Sequence, residues 1–517
     1  MSKMSKHSNC ENDTSARSRL FGYGLTVLLS SALLLVLEIV AGRLLAPWIG
    51  VSLYTWTSII GVILAGLSLG NWLGGVWADR GGSGRSVGTV LGLAGLYCIL
   101  SLIGIDTLGS RLQEAEASLL SASFALAAAL FFLPAVFIGI VTPLLTTLAL
   151  RLDARAGHVV GRMHALAAVG SILGTFAAGY WLVQWIGSRA LVLMCGILLM
   201  LLAVPFLRGA RRSTQTALSL AVSVALAGLL LSHGLAGSCE RESRYFCMRV
   251  VEQPTPPEAG PTRGLVLDHL LHGINHRTEP SLLVAPYVHA LDELAAAHFG
   301  ERYAEGLRWF FAGGGAYSLP RAVESLSPDS SITVAELDPL VTLTAVESLG
   351  LDPAPMHIVH RDARLALQSE AEPFDVIVGD VFHDVAIPPH LVTREFAALV
   401  RERLAPDGLY LMNVVDTLPD PLLIKSLINT LQTAFAQVDI WMDHVPEAER
   451  VTFVISATNG TPLPDTIIAR HGFVRRWQRM TDAVLGYGRD PRELPILTDD
   501  YAPVERLIAG LLIGESQ

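Results

Sequence analysis

Lysine is almost missing from this 517-residue chain: Lys3, Lys6 and Lys425 stand among 37 basic residues, and the rest are arginine. Charge of either sign is scarce, at 16% of residues against 51% hydrophobic. A chain that apolar is neither a disordered polymer nor an ordinary soluble protein. Five cysteines over this length cannot build a disulfide scaffold. Residues 240–517 lack any basic stripe, which excludes nucleic acid as a partner. A cleavable signal peptide is not expected either, because the first apolar run is long, follows a polar tail of about twenty residues and is succeeded by others.

What is present is divided sharply along the chain. Residues 1–239 carry 15 Lys+Arg and 8 Asp+Glu, a net of +7; residues 240–517 carry 22 and 39, a net of −17. The basic part holds seven runs free of charge or nearly so: Leu20–Leu37, Leu44–Ala78, Ser86–Ile105, Ala117–Leu150, Met163–Ser188, Ala190–Leu207 and Ser213–Ser232. About 20 such residues cross a bilayer as a helix, so residues 20–236 are expected to form a bundle of about seven spans behind a polar tail, 1–19. The tail and every second loop carry Lys3, Lys6, Arg17, Arg19, Arg80, Arg85, Arg151, Arg155, Arg162, Arg208, Arg211 and Arg212, whereas the opposite loops carry only Arg43, Arg111 and Arg189. This asymmetry puts the N-terminus in the cytoplasm of a cell whose inner (plasma) membrane holds the chain. Seven spans then place the acidic part outside. A hairpin within Ala117–Leu150, which contains Pro134 and Pro143, would give eight spans and reverse that. Gly66, Gly70 and Gly74, and likewise Gly170 and Gly174, recur at the four-residue spacing that lets helix backbones approach closely. Glu38 is a carboxylate inside a span, and pairing with Arg43 is its simplest use.

After residue 240 short apolar runs alternate with amphipathic ones. Strands are expected at Leu307–Ala312, Ser331–Glu336, His357–Val359, Phe374–Gly379, Gly408–Val414, Gln437–Trp441 and Thr452–Ala457. Helices fall near Pro320–Leu326, Pro339–Leu349, Ala363–Ser369, Thr393–Leu404 and Leu422–Phe435. Alternation of this kind predicts a mostly parallel, doubly wound α/β sheet over residues 301–517, preceded by a small β-rich lead-in, 237–300. The first strand ends in Gly313-Gly314-Gly315, a turn that lets backbone approach a ligand. Glu336 ends the next strand 23 residues after Gly313, where an acid can accept from ribose hydroxyls. Asp362 and Asp380 also follow strand ends, the edge at which open α/β sheets bind ligands. Each of these acids alone could equally be a helix N-cap. No metal-ligand set is expected, and the glycine spacing fits neither NAD nor ATP.

Gly313-Gly314-Gly315, Glu336-Leu337-Asp338, Asp362-Ala363, Phe374–Asp380 and Thr393-Arg394-Glu395-Phe396 together resemble the spermidine synthases, the polyamine aminopropyltransferases that share the Rossmann-like sheet of S-adenosylmethionine methyltransferases. Leu37-Glu38, Arg43–Pro47 and Leu497–Pro503 are similar to segments of the membrane-fused branch of that family. The resemblance implies a nucleoside site for decarboxylated S-adenosylmethionine (or S-adenosylmethionine itself) at Gly313, Gly314, Gly315, Glu336, Asp338, Asp362 and Ala363. Asp380 would be the catalytic aspartate, and Tyr287 and Asp384 would contact the acceptor amine; the donor is a co-substrate, and no permanently bound cofactor is implied. The chain departs from the family at Ala316, where an aspartate is usual, and at Asp380-Val381-Phe382-His383-Asp384, where the second acid comes one place late. Expected partners are a small amine and the lipid bilayer, and a homo-oligomer is left open. The alternatives are a methyltransferase on the same sheet and a non-catalytic nucleoside or polyamine sensor or transporter. Cys239 and Cys247 flank the start of the acidic part; they are a free pair in the cytosol or a disulfide outside it.

Overall fold

A computed structural model describes residues 2–114, 118–207, 239–253, 259–382, 386–443 and 450–510. The chain forms two compact units, Met1–Arg244 and Tyr245–Gln517, so the boundary lies a few residues beyond the shift in composition at 236.

The first unit is helical. Its long helices are α1 (Ser2–Ile49), α2 (Leu53–Asp79), α3 (Gly84–Glu114), α4 (Leu119–Leu150), α5 (Ala156–Ile186) and α6 (Ser188–Leu207). Six helices long and apolar enough to cross a membrane therefore stand among the described residues, one for each of the first six apolar runs; the seventh run, 213–232, lies outside them. Two boundaries differ from expectation. Charged residues do not end α1, which continues through Glu38 and Arg43 to Ile49 and stops at Gly50, whose φ is +70°. Ser52 then caps α2 by accepting from the Thr55 N–H. A helix tolerates an isolated charge, whereas a left-handed residue ends it.

Ala117–Leu150 makes no hairpin: α4 is one helix with a π-helical turn at Ala128–Phe132 just before Pro134. A proline ring presses on the carbonyl four residues back, and the widened turn relieves that contact without breaking the helix. The glycine spacings do serve packing. A Cβ at Gly70 would strike the Val136 carbonyl of α4, and one at Gly174 would strike the Ala32 carbonyl of α1.

Glu38 is not paired with Arg43, contrary to expectation. Arg43 donates to the Ser243 carbonyl at 2.9 Å and lies 3.8 Å from Glu242. Five residues along a helix of 3.6 residues per turn point to different faces, so the two side chains cannot meet as a four-residue pair does.

The second unit begins with an antiparallel meander, β1 (Cys247–Gln253), β2 (Thr262–Leu267) and β3 (Leu270–His276). Helix α7 (Pro286–Phe299) follows, inside the stretch expected to be β-rich; Pro286 opens it and Gly300, with φ +56°, closes it. The main sheet contains β4 (Arg308–Ala312), β5 (Ser331–Ala335), β6 (Met356–Val359), β7 (Phe374–Gly379), β8 (Leu404–Thr417), β9 (Gln437–Met442), β10 (Arg450–Thr458), β11 (Thr466–Ile468) and β12 (Arg476–Arg479). Their spatial order is β11-β12-β9-β10-β8-β7-β4-β5-β6.

All seven expected strands are present, but the sheet is only half parallel. Pairs β8-β7, β7-β4, β4-β5 and β5-β6 are parallel, and the other four are antiparallel. Strands β9 and β10, consecutive among the described strands, pair antiparallel along their length. Helices α8 (Ser318–Leu326), α9 (Pro339–Ser348), α10 (Ala363–Ser369), α11 (Arg394–Arg403) and α12 (Leu422–Leu431) fill the expected crossovers. Trp309, Phe310 and Phe311 on β4 are each at most 3% exposed although they alternate between faces. Both faces of that strand are covered, and each side chain contributes about 2–3 kcal/mol by burial.

Candidate functional site

Strands β4, β5 and β6 step outward in one direction, and the chain then crosses back to put β7 on the other side of β4. The point where strand order reverses leaves a crevice at the strands' carboxyl ends. Gly313 follows β4 there and Asp380 follows β7.

The turn after β4 is shaped for close approach. Gly313 has φ +90°, and a Cβ on it would strike the Asp380 carbonyl. Tyr317 takes the left-handed conformation at φ 55°, at some cost for a residue with a Cβ. It is held by a 2.6 Å hydrogen bond between its hydroxyl and Thr342, and its ring packs where a Cβ on Gly314 would sit. On β3, Asn275 donates to the Ala316 carbonyl at 2.7 Å and accepts from the Ser318 hydroxyl at 2.6 Å. The meander thus fixes the turn from the other side.

A cavity with about 880 Å³ of empty space, part of it open to solvent, lies in this crevice. Gly313, Gly314 and Gly315 form one wall with the first turn of α8, Asp380 and Phe382 another, Tyr287 and Leu291 of α7 a third. His272 of β3, Asn413 and Val415 of β8, and Arg450 and Thr452 of β10 complete it. Asp380 accepts from Asn413 Nδ2 at 2.9 Å and from the Tyr287 hydroxyl. Burial pushes its carboxyl up to about 6, against the pull of those two donors, which favour the charged form. The Tyr287 hydroxyl is held well above the usual tyrosine value by burial and by the neighbouring carboxylate. It therefore stays a donor.

The other expected acids among the described residues, Glu336, Asp338 and Asp362, do not line this cavity. Glu336 is buried, and its two oxygens accept from the N–H groups of Gly314 (2.9 Å), Gly315 (3.2 Å) and Asp338 (2.9 Å). It fixes the glycine turn from behind. Burial raises its carboxyl, and the backbone donors oppose that. Asp338 caps α9 through the Leu340 N–H at 3.0 Å, and Asp362 caps α10 through Leu365 at 3.1 Å. Asp362 also contacts His390 Nε2 at 2.8 Å, and Ala363 is buried in the first turn of α10. The capping use open to any single acid is thus realised in both. Asp384 lies outside the described residues. Sequence reasoning missed Asn413, His272 and Arg450. Asn413 was detectable as the one amide in an otherwise apolar central strand.

Below the cavity α7 is held by a buried ionic network. Glu293 accepts from Arg470 at 2.7 Å, and Asp292 from His471 at 3.1 Å and from the Tyr303 hydroxyl. The arginine and His289 bring the Glu293 carboxyl down to about 2 against its burial. His289, Glu293 and His471 have donor atoms close enough together for a metal ion, but the chemistry does not fit one. Arg475 lies 3.3 Å from His289 Nδ1 and can only donate, which leaves the imidazole proton on Nε2 facing Glu293. Two guanidinium groups already supply the positive charge.

Comparison with known proteins finds similarity over part of the chain. The chain is 32% identical over 114 residues to the polyamine aminopropyltransferase of Vibrio vulnificus (strain CMCP6), covering 21% of this chain and 38% of that one. Over part of its length the chain is thus similar to polyamine aminopropyltransferases. A probable polyamine aminopropyl transferase of Bifidobacterium longum (strain NCC 2705) is 32% identical over 102 residues, 20% of this chain and 23% of its own. The chain thus spans well under half the length of either curated relative. A solved structure, a probable spermidine synthase from Corynebacterium glutamicum, matches 48% of this chain and 95% of its own at 21% identity and TM-score 0.41. No family model matches. In the second unit the glycine turn and Asp380 occupy one cavity, and Ala316, the position at which the resemblance led to an expected acid, is buried beside Gly273.

Proposed function

We propose that this chain is a membrane-bound aminopropyltransferase-like enzyme that moves an alkyl group from a sulfonium nucleoside, decarboxylated S-adenosylmethionine in the first instance, to an amine. The observation that carries the reading is Asp380, set across the crevice from Gly313–Gly315 with two donors on its carboxylate and a carboxyl raised to about 6. The nucleoside would lie along the glycine turn and the first turn of α8, where backbone approaches closely and helix N–H groups are available. Glu336 supports that turn, and Asp338, Asp362 and Ala363 shape the strand ends beside it.

A sulfonium donor carries its own neutral leaving group, so no general acid is needed. The amine nitrogen forms a bond to the carbon next to sulfur, the C–S bond breaks, and its electron pair stays on sulfur as a thioether nucleoside. The nitrogen's extra proton passes to the Asp380 carboxylate. Tyr287 and Asn413 hold that carboxylate in line, which is where orientation lowers the barrier. The six apolar helices support anchorage in a membrane. The disulfide-bonded state of Cys239 and Cys247, with the arginine asymmetry of the loops, supports an exterior position for the second unit. A reporter fused at Gln517 reads that side directly.

The decisive assay incubates the full chain in detergent with labelled decarboxylated and ordinary donor and a panel of amines. Release of methylthioadenosine is expected with the decarboxylated donor. Methyl transfer from the ordinary donor alone would make the protein a methyltransferase. Nucleoside binding with no transfer to any amine would make it a sensor.

A further inference from the structure

Tyr287 reaches Asp380 from the second residue of α7, so the direction of that hydrogen bond depends on how the chain enters the helix. The entering segment, Leu283–Ala285, is irregular apart from an antiparallel bridge between Leu283 and Asn275 of β3. Asn275 also holds the Ala316 carbonyl of the glycine turn. The carbonyls of the segment are held by Arg475. Its Nη1 donates to Leu283 at 3.1 Å and its Nη2 to Val284 at 2.7 Å, and Nη1 also meets His289 Nδ1 at 3.3 Å. One planar fork thus ties two consecutive residues before the helix to a side chain in its first turn.

Arg475 is itself fixed to the sheet and not to α7. It ends the turn between β11 and β12, which closes through the Ala469 N–H donating to the Arg475 carbonyl at 3.0 Å. Gly472 in that turn has φ +69°, and a Cβ on it would meet Leu282 at 3.4 Å. On its other side β12 pairs with β9 of the main sheet. The guanidinium lies 4.7 Å over the Phe473 ring; burial works against its charge, and Asp443, which follows β9, favours it. His289 is held in turn by Glu293 at 3.4 Å and by the rings of His471 and Trp477 at 5.4 and 5.2 Å.

We propose that Arg475 is a positioning residue for the transfer step: by fixing the entrance of α7 it aims the Tyr287 hydroxyl at Asp380 and keeps that carboxylate ionised and in line. The proposal rests on the transfer reading above for the role of Asp380, and the bond changes are unaltered. Arg475 does not line the cavity; it acts through Tyr287. The groups facing Asp380 are Tyr287 from α7 and Asn413 from β8, with His272 of β3 and Arg450 of β10 in the same cavity. The sign of the effect separates aim from bulk support. Losing the aim of Tyr287 takes a donor from the ionised carboxylate and raises the pH at which it forms. A fold merely loosened would admit water, relieve the burial that holds the carboxyl at about 6, and lower that pH.

The test places Arg475→Gln in the full chain in detergent micelles and follows two readouts. One is the acidic limb of kcat/KM for methylthioadenosine release with decarboxylated donor. The other is the pH at which Asp380→Asn reaches its full gain in thermal unfolding, compared with and without Arg475→Gln. Both lie at about pH 6 in the unaltered protein and are expected to rise by about 0.5–1 pH unit. Arg475→Gln combined with Tyr287→Phe should rise no further than Tyr287→Phe alone. An unmoved or lowered midpoint overturns the proposal, and so does a double variant whose shifts add. Arg475→Lys keeps the charge and loses the fork; it should move the midpoint in the same direction, and it supplies the comparison if Arg475→Gln does not fold. If no amine is a substrate, the unfolding readout still decides. A raised midpoint then keeps Arg475 as the residue that aims Tyr287 and removes the transferase reading instead.

Discussion

Replacing Asp380 by asparagine should stop turnover and yet stabilise the empty protein at alkaline pH. An ordinary aspartate ionises near 3.9, whereas burial takes this one to about 6. At ~1.4 kcal/mol per pH unit, the ionised carboxylate costs the folded state roughly 3 kcal/mol above pH 6. The side chain keeps some contact with the open cavity, and asparagine keeps only part of the hydrogen bonding with Asn413 and Tyr287, so about 1–2 kcal/mol should be recovered. The sign follows from the direction of the rise. A carboxyl whose folded value lies above its unfolded value leaves the fold most stable relative to the variant below about pH 4. That advantage is lost progressively between 4 and 6, and above 6 the cost is complete. Thermal unfolding of the second unit, followed in the full chain at pH 4 and pH 8, should show Asp380→Asn gaining at pH 8 and little changed at pH 4. Methylthioadenosine release should fall to background in the same sample. A variant that is less stable at both pH values would show that Asp380 holds the fold together, and the catalytic assignment would be wrong.

Tyr287→Phe removes one of two donors that favour the ionised form of Asp380, so the acidic limb of the pH–rate profile should move upward by about one pH unit; an unmoved limb with reduced rate would make Tyr287 a wall of the pocket only. Gly313→Ala forces a Cβ into the Asp380 carbonyl at a residue with φ +90°; nucleoside affinity should drop at least about tenfold, and retained affinity by calorimetry would separate the turn from the ligand. Asp499 joins Arg364 through two bonds of 2.7 and 2.8 Å and accepts from Thr393 at 2.7 Å, and these partners bring its carboxyl down to about 2. Arg364→Ala should cost about 0.5–1 kcal/mol at neutral pH. That difference should vanish as pH falls from about 4 through 2, where the depressed carboxyl protonates; a cost persisting in acid would point to packing.

How much could be read from the residues differs between the two units. Runs of uncharged residues settled six helices, because a bilayer-length apolar stretch has few other folded uses. Where those helices end was not readable from charge. Gly50 and Ser52 set the first break by backbone conformation and capping, and Glu38 and Arg43 were absorbed inside a helix. In the second unit seven of the nine strands of the main sheet and the five crossover helices were legible from apolar periodicity, since strand cores buried on both faces leave short continuous runs. Helix α7 was missed because its ten buried positions include His289, Asp292 and Glu293, charges that read as surface until Arg470 and His471 are known to face them.

The sequence by itself determined the glycine turn, the acids that follow the strands, and the split between an apolar basic part and an acidic α/β part. These are local properties: a left-handed turn needs glycine, and a strand end needs a polar residue. Only the tertiary structure decided which acids share a cavity. The reversal of strand order brings Gly313 and Asp380 together and adds Tyr287 from α7, Asn413 from β8 and Arg450 from β10. It leaves Glu336 bracing the turn and Asp338 and Asp362 capping helices. Residues over a hundred positions apart meet there because parallel strands adjacent in space are distant along the chain, and spacing along the chain carries no record of that approach.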